Sequence, residues 1–221
     1  MKLLLTSAGI KNKTLAQAVL DLAGKKAEEL TVAFIPTAAN ADGNDKTWFI
    51  DNLYQLKQQG YKTIDIVDIS ALPKWNWQKR LENADVLFFS GGNSAHLIRW
   101  IEESGLKELL PELLQIRVWV GVSAGSVVTA PIVVMSSPDR LSFYKEKFGY
   151  EADKGLALVD FYTRPHLNSS KFPNVRKEIL METTKDIPGV VYAIDDQMAI
   201  KVVDGKIEVI GEGEYLVFNK K

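Results

Sequence analysis

The sequence predicts an α/β fold in which a mostly parallel sheet is covered by helices on both faces. Short apolar, β-branched runs alternate with segments of helical spacing through the first two-thirds of the chain, a pattern typical of strands joined by crossover helices. Hydrophobic residues make up 46% and charged residues 25% of the 221 residues, which is an ordinary globular balance. We therefore expect one domain spanning residues 1–221.

Five short apolar runs are the predicted strands of the parallel sheet: Leu3–Thr6, Thr31–Pro36, Thr63–Ile69, Asp85–Ser90 and Arg117–Val120. Between them, apolar residues recur every three or four positions, as they do on one face of a helix. Leu15, Val19 and Leu22 show this spacing first, and residues 49–56 and 97–101 repeat it. Alternating strands and helices bring the carboxyl ends of the strands to one edge of the sheet, where ligands bind in this fold class.

The pattern changes after Leu156, and we expect antiparallel additions in the last third of the chain. The predicted elements are strands at Leu156–Tyr162, Val190–Ile194 and Tyr215–Phe218, a hairpin of Ala199–Val203 and Lys206–Ile210 across a type I′ turn at Asp204-Gly205, and a helix at Phe172–Thr183. Ser136–Lys154 is charged, aromatic and aperiodic, so it is predicted to be an irregular loop.

Charge and composition exclude several classes of partner and site. The formal charge is −1, from 27 basic and 28 acidic residues, so no nucleic-acid or membrane-surface partner is predicted. The chain has no cysteine, which removes disulfides, thiolate metal sites and a cysteine nucleophile. The apolar run Leu3–Leu5 is too short for a signal peptide and no run is long enough to span a membrane, so a cytoplasmic protein is expected.

The strongest motif is Gly121-Val122-Ser123-Ala124-Gly125, which directly follows a predicted strand. It has the form G-x-S-x-G, the pattern of a nucleophile elbow. Small flanking residues permit a sharp strand-to-helix turn that projects the serine hydroxyl above the sheet edge, and the helix N-terminus behind it offers unpaired N–H groups. The alternative is a tight turn with an incidental serine. The preceding strand favours catalysis.

A serine becomes a useful nucleophile when a base accepts its proton, and the chain contains two histidines. His166 follows Pro165 just after a predicted strand, so its backbone is held at a strand end, and it is the favoured base. His96 lies in the helix after a Gly-Gly-Asn loop and is expected to be a packed or solvated helix residue.

A third group is expected to orient the imidazole of the base. Asp195 and Asp196 follow the run Val190–Ile194. Adjacent side chains on a strand point to opposite faces, so at most one of the two aims at the site. Asp139, in the predicted loop, is the other candidate, and a solvated strand end is the alternative interpretation of the aspartate pair.

The segment Ser90-Gly91-Gly92-Asn93 ends another predicted strand. Backbone N–H groups of Gly92 and Ala124 are candidates to converge on an oxyanion, the alternative being a flexible turn. The segment matches neither G-x-G-x-x-G nor G-x-x-x-x-G-K-[ST], so no nucleotide site is predicted.

In order along the chain, Ser90-Gly91-Gly92-Asn93, Gly121-Val122-Ser123-Ala124-Gly125 and Pro165-His166 resemble the peptidase E group of serine peptidases. That group includes aspartyl dipeptidase and, more distantly, cyanophycinase, and the resemblance covers about residues 1–200. It implies a three-layer αβα sandwich of the flavodoxin-like or class I glutamine amidotransferase-like type.

The resemblance also implies site roles. Ser123 matches the family nucleophile, His166 its base, and Gly92 and Ala124 its oxyanion donors. The family acid is usually a glutamate or aspartate in a late segment similar to Gly-Ile-Asp-Glu.

That late segment here reads Ala193-Ile194-Asp195-Asp196. Asp196 takes the position of the family acid and is ranked first. Asp139 roughly matches a second acidic position after the elbow and is ranked second.

The implied activity is hydrolysis of peptide bonds in short peptides, similar to a dipeptidase, with an N-terminal aspartate as one candidate specificity. No metal or organic cofactor is implied, the expected partner is a short peptide substrate, and a monomer or homodimer is expected. Arg140, Arg164 and Arg176 are candidate partners for an acidic substrate. A non-catalytic module for a small ligand, and an amidase or esterase for a non-peptide carbonyl, are the alternative functions.

Overall fold

A computed structural model of the protein describes residues 1–41, 43–136 and 138–220, with the side chain of Arg140 outside the description. The strands are β1 (Lys2–Thr6), β2 (Thr31–Ile35), β3 (Thr63–Ile66), β4 (Val86–Phe89), β5 (Val118–Val122), β6 (Tyr162–Arg164), β7 (Val191–Ile194), β8 (Met198–Val203), β9 (Lys206–Gly211) and β10 (Tyr215–Phe218). The α-helices are α1 (Lys13–Ala23), α2 (Thr47–Gln58), α3 (Lys74–Glu82), α4 (Ser94–Glu103), α5 (Leu110–Leu113), α6 (Ala124–Val127), α7 (Pro138–Phe148) and α8 (Lys177–Thr183).

The larger sheet has the strand order β3-β2-β4-β5-β1-β8-β9 within the described residues. The five strands from β3 to β1 run parallel, and β8 and β9 continue the sheet antiparallel. A smaller sheet of order β10-β7-β6 pairs β7 parallel with β6 and antiparallel with β10. The predicted α/β class, with its mostly parallel sheet and antiparallel additions, is confirmed.

The central strands β4 and β5 are buried on both faces, which explains why no polar side chain occurs in them. Leu4 of β1 and Phe88 of β4 face a cluster that includes Leu15, Val19 and Leu22 of α1. The neighbouring residues Leu3 and Leu5 of β1 face the opposite cluster, with Trp77 of α3 and Leu97 of α4. Because successive side chains of a strand alternate between faces, helices cover the sheet in two separate layers.

The hairpin prediction is confirmed, with φ of 47° at Asp204 and 82° at Gly205. Both central residues of a type I′ turn need positive φ, and its twist matches that of the flanking strands. The strand predicted at Leu156–Tyr162 is wrong in position, because β6 comprises Tyr162–Arg164. Leu156 and Leu158 instead donate backbone hydrogen bonds to Val128 and Thr129 just after α6.

The predictions for Ser136–Lys154 and Phe172–Thr183 are also corrected. Helix α7 occupies Pro138–Phe148 within the segment expected to be irregular, and Tyr144 on its inner face is fully buried against α4. Because a single aromatic side chain anchors this helix, its sequence shows only weak helical spacing of apolar residues. Helix α8 begins at Lys177, because residues before it form turns held by hydrogen bonds such as Val175 N–H to the Phe172 carbonyl.

Candidate active site

The carboxyl ends of strands from both sheets meet at one place. Ser7 follows β1 and Ser123 follows β5, both in the larger sheet. His166 lies just beyond β6 and Asp196 just beyond β7, in the smaller sheet. The Leu167 N–H donates to the Ile194 carbonyl at 3.0 Å, which ties together the strand ends that carry the histidine and the aspartate.

Ser123 stands at a sharp turn between β5 and α6, with φ of 47° and ψ of −102°. A non-glycine residue with positive φ is strained unless its surroundings enforce the conformation. The flanking glycines are sterically required. A Cβ on Gly121 would collide with the backbone of Gly125, and one on Gly125 would lie 2.9 Å from the Phe89 Cβ on β4. The motif therefore has the geometry of an elbow packed between two strands.

Hydrogen bonds from the end of β1 fix this turn. The Thr6 carbonyl accepts the Ser123 N–H at 3.1 Å and the Ser126 hydroxyl at 2.8 Å. The Thr6 hydroxyl donates to the Gly121 carbonyl at 2.7 Å. All these groups lie in the buried interior, so leaving one unpaired would cost about 1–3 kcal/mol. The position of the Ser123 hydroxyl is thus tied to β1 as well as to β5.

The imidazole of His166 bridges the serine and an aspartate. Its Nε2 lies 2.9 Å from the Ser123 Oγ, and its Nδ1 lies 2.8 Å from the Asp196 Oδ1. A carboxylate only accepts, so Nδ1–H donates to Asp196 and Nε2 is left to accept the serine proton. The ring stacks on Phe172 at 4.0 Å between centroids and 4° between planes, and the side chain is 14% exposed.

Ser7 makes hydrogen bonds to both His166 and Asp196. It is fully buried, its hydroxyl donates to the Asp196 Oδ1 at 2.7 Å, and its Oγ accepts the His166 backbone N–H at 2.8 Å. His166 has φ of 68°, so this N–H is held in a left-handed conformation that histidine rarely adopts. One hydroxyl therefore supports both the carboxylate and the backbone of the histidine.

The Asp196 carboxyl is kept ionised by its neighbours. Burial alone would raise its pKa, but hydrogen bonds from His166 and Ser7, together with the positive charge of Lys11, hold the pKa below its usual value. The carboxylate thus stays available as an acceptor at neutral pH. Asp195 points elsewhere and accepts the backbone N–H groups of Gln197 and Glu214, as expected for adjacent residues.

Asp139 and His96, the other candidate residues, have different surroundings. Asp139 is in the first turn of α7 and lines a cavity next to Ser123, with no hydrogen bond to His166. His96 contacts the Tyr144 hydroxyl through Nδ1 at 2.7 Å, inside the packing of α4 against α7. His96 is thus the packed helix residue that its position predicts.

Gly91 and Gly92 lie directly beside the serine. A Cβ on Gly91 would lie 3.5 Å from the Ser123 Cβ. Gly92 has φ of 137°, and a Cβ there would overlap the Ala38 carbonyl, so only glycine fits. Ala124 is the first residue of α6, immediately after the serine. Gly92 and Ala124, the two residues named as oxyanion donors, line the same cavity as Ser123.

Two cavities meet at Ser123 and His166. The polar pocket, of about 570 Å³, is lined by Lys11, Asn44, Asp45, Lys46, Trp48, Asp51 and Asn52 beyond the shared residues. The apolar cleft, of about 710 Å³, is lined mainly by Val127, Val134, Met135, Leu141, Pro165, Ile179 and Leu180. Both share Gly92, Lys171 and Phe172 with the Ser123–His166 pair. A bound molecule that crosses the serine would extend into both.

The candidate arginines differ in surroundings. Arg176 donates three hydrogen bonds, to the carbonyls of Ser169, Phe172 and Val175, so its guanidinium supports the loop before α8. Arg164 lines the apolar cleft. The side chain of Arg140 lies outside the described residues.

In the part of the chain that the structure describes, no group of three or more histidine, aspartate or glutamate side chains is arranged to hold a metal ion. None of the helices found there combines the length and the apolar character that crossing a bilayer requires.

A family model of peptidase family S51 matches residues 3–210 of the chain. The chain belongs to peptidase family S51. Membership identifies it as a serine peptidase and hence a hydrolase. This agrees with the resemblance drawn from the three glycine, serine and histidine motifs.

Relatives and solved structures agree with the family. An uncharacterized peptidase of Listeria innocua is 28% identical over 180 residues, covering 80% of this chain and 82% of that protein. Peptidase E of Pasteurella multocida is 28% identical over 199 residues, with 86% and 79% covered. A crystal structure assigned as peptidase E from Listeria monocytogenes matches with a TM-score of 0.79 at 23% identity, covering 96% and 98%. At that identity the structural match shows the fold, a three-layer α/β architecture.

Ser7 is the site residue that sequence reasoning did not assign. Its signal was a small polar residue directly after the apolar run of β1, at the edge where the other strand ends meet. Wall residues within 46–52 and 134–136 were also not assigned, whereas Asp139 was named as a candidate acid. Their positions depend on tertiary packing rather than on a local pattern.

The tight packing of the elbow gives a stability prediction. We expect Gly125→Ala to lower the free energy of unfolding by about 2 kcal/mol or more, because its Cβ would press on the Phe89 backbone and side chain. Gly43→Ala is the control, since no atom lies within 4 Å of the added Cβ, and a change within about 0.5 kcal/mol is expected. Urea unfolding measures both, and equal values would contradict the packing of the elbow.

Proposed function

We propose that this peptidase cleaves peptide bonds in short peptides through a catalytic triad of Ser123, His166 and Asp196. The observation that carries the proposal is the continuous relay of 2.9 Å from the serine Oγ to Nε2 and 2.8 Å from Nδ1 to the carboxylate. Both distances are in the hydrogen-bonding range that a proton transfer requires. The partly accessible serine lies where two cavities meet.

In the first step, the Ser123 Oγ attacks the carbonyl carbon of the scissile bond while its proton moves to the His166 Nε2. Asp196 stabilises the imidazolium that forms. The carbonyl oxygen becomes negatively charged, and the N–H groups of Gly92 and Ala124 are the proposed donors to it. Collapse of this intermediate breaks the C–N bond, and His166 gives the proton to the departing amine.

In the second step, water hydrolyses the acyl-enzyme. His166 takes a proton from the water, whose oxygen attacks the ester carbonyl carbon, and then returns a proton to the Ser123 Oγ as the acid is released. All transfers use groups of this chain and water. Ser7 contacts no reacting atom and acts as a positioning residue for the aspartate and the histidine.

The cavities favour a small substrate. Volumes of about 570 and 710 Å³ are in the range that small ligands fill, so each side of the scissile bond has room for about one or two residues. Lys11, Lys46 and Lys171 line the polar pocket together with Asp45 and Asp51, which supports a polar N-terminal residue. Aspartate stays one candidate for that residue. A dipeptidase-like activity fits these dimensions.

Removing the nucleophile is the direct test. We expect Ser123→Ala to fold normally and to lose at least about 10⁴-fold in kcat on a dipeptide library that includes N-terminal aspartate. A fluorophosphonate probe should label the wild type at Ser123 and leave the variant unlabelled. Undiminished hydrolysis by the folded variant would refute the mechanism, and an unreactive wild-type serine would instead favour a non-catalytic binding module.

Separate substitutions distinguish the two candidate acids. Asp196→Asn replaces the acceptor of the Nδ1 proton with a group that also donates, so the imidazole tautomer is disturbed, and we expect a loss of roughly 10³-fold in kcat. Asp139→Asn should cost far less, because Asp139 makes no hydrogen bond to His166. A greater loss for Asp139→Asn in steady-state kinetics would reverse the assignment.

The positioning role of Ser7 predicts a smaller, pH-dependent effect. Ser7→Ala leaves the Asp196 carboxylate with one donor fewer and the His166 N–H unpaired, so kcat should fall about tenfold while KM stays nearly constant. The loss of a donor raises the pKa of Asp196, so this carboxyl should become protonated at a higher pH in the variant than in the wild type, which NMR titration of the carboxyl carbon measures. Ser7→Thr keeps the hydroxyl and should restore most of kcat. An Asp196 titration unchanged in Ser7→Ala would show that Ser7 only fills space.

A further inference from the structure

The apolar cleft beside Ser123 differs in chemistry from the polar pocket. Its walls come from the segment after α6 and from α7 and α8, with Val127, Met135, Leu141 and Ile179 among them. Such a surface favours an apolar group, because burying apolar area contributes roughly 25 cal/mol per Å². The substrate group that binds on this side of the serine is therefore expected to be apolar.

A guanidinium stands in this apolar cleft. Arg164, the last residue of β6, donates one hydrogen bond from Nη1 to the Met135 carbonyl. Among the described residues, no carboxylate forms an ion pair with it, and Asp139, which lines the same cleft, is not bonded to it. Burial lowers the pKa of Arg164, as is usual for a guanidinium without an acidic partner. Arginine does not give up its proton in proteins, so the charge remains.

A second polar group in the cleft has an unused hydrogen-bond capacity. The Ser136 Oγ is buried, lines the cleft next to Met135, and has no hydrogen-bond partner in the described part of the chain. Buried hydroxyls are normally paired, so this hydroxyl is an unused hydrogen-bonding group in the wall of the cleft. Arg164 supplies the charged donors of the same cleft.

We propose that the apolar cleft binds the C-terminal residue of the peptide substrate, with its α-carboxylate on Arg164 and its apolar side chain against the walls. This inference rests on the proposed peptidase function and names its substrate class: short peptides that end in a free, apolar C-terminal residue just after the scissile bond. The planar fork of arginine matches a carboxylate with two parallel hydrogen bonds.

The charge balance of the cleft favours an α-carboxylate over an acidic side chain. A C-terminal leucine or phenylalanine brings one carboxylate for one buried guanidinium and covers the apolar walls. A C-terminal aspartate would bring two carboxylates and leave most of the wall uncovered. Lys171 also lines the cleft where the two cavities meet, but its side chain is exposed to solvent, so Arg164 is the cation that the apolar walls surround.

The test compares binding of three probes: the dipeptide Ala-Leu, its C-terminal amide, and the C-terminal amide of Ala-Asp. Calorimetry in the Ser123→Ala background measures affinity without turnover, so the inference and the proposed function can fail separately. We expect amidation of Ala-Leu to weaken binding about 10- to 100-fold, the range of a charge-assisted pair.

Arg164→Met in the same background decides which group is responsible. It removes the charge and keeps a long apolar side chain, so Ala-Leu and its amide should then bind within about twofold of each other. Lys177→Met is the control, because it also removes one positive charge. Lys177 is exposed on α8 outside the cleft, so this variant should keep the full difference in affinity between Ala-Leu and its amide.

Each other outcome overturns the proposal. Equal binding of Ala-Leu and its amide by the Ser123→Ala protein would show that no α-carboxylate is recognised. A difference that persists in Arg164→Met would assign recognition to another cation. Stronger binding of the Ala-Asp amide than of Ala-Leu would assign the cleft to an acidic side chain. Should Arg164→Met fail to fold by circular dichroism, Arg164→Lys takes its place, and the loss of the bidentate fork should reduce the difference at least several-fold.

Discussion

The contact between the Ser123 hydroxyl and the His166 imidazole is the constraint on which the rest of the site depends, because it joins two different sheets. The serine belongs to the end of β5 in the larger sheet, and the histidine to the end of β6 in the smaller one. A shift of about 1 Å between the sheets would separate proton donor and acceptor. Ser7 counters such a shift, since its hydroxyl, on the larger sheet, is bonded both to the His166 backbone and to Asp196 on the smaller one. The buried Thr6 carbonyl accepts hydrogen bonds from Ser123 and Ser126 and so fixes the elbow to the end of β1. The end of β1 thus holds Ser123, His166 and Asp196, the proposed nucleophile, base and acid, in fixed relative positions.

The parts of the fold and site that could be predicted from sequence are those dictated locally. Strand β5 and its elbow follow from Gly121 and Gly125, because only glycine fits where β4, β5 and α6 touch. Strand alternation predicted that at most one of Asp195 and Asp196 faces the site, and their side chains do have different partners. The choice of Asp196 came from the family resemblance. His166 was favoured over His96 because a proline fixes its strand end. The assignment of the family adds that the enzyme is a serine peptidase, but the pairing of His166 with Asp196 is a matter of three-dimensional geometry.

The features that sequence reasoning missed depend on distant contacts. Helix α7 is held by Tyr144, whose ring packs on α4 and whose hydroxyl meets His96, so the charged helix shows little apolar periodicity. Strand β6 is three residues long and takes its place from pairing with β7, which a run of apolar letters at residues 156–162 cannot indicate. Ser7 looks like any polar residue after a strand until the smaller sheet brings His166 and Asp196 against it.

A relay of serine, histidine and aspartate is indifferent to the side chains of its substrate, so specificity has to come from the walls of the two cavities. The resemblance to aspartyl dipeptidase does not carry that enzyme's acidic preference to this chain by itself. Arg176 is occupied by three backbone carbonyls and is therefore a poor receptor for a substrate carboxylate. The other cations that line the cavities are Lys11 and Lys46 in the polar pocket, Lys171 where the two cavities meet, and Arg164 in the apolar cleft. An exposed lysine is hydrated, so an ion pair with a substrate carboxylate contributes little binding free energy. A guanidinium that the fold has already removed from water contributes more, because part of its desolvation cost is met before the ligand binds. Selection by charge should therefore be stronger in the apolar cleft than in the polar pocket.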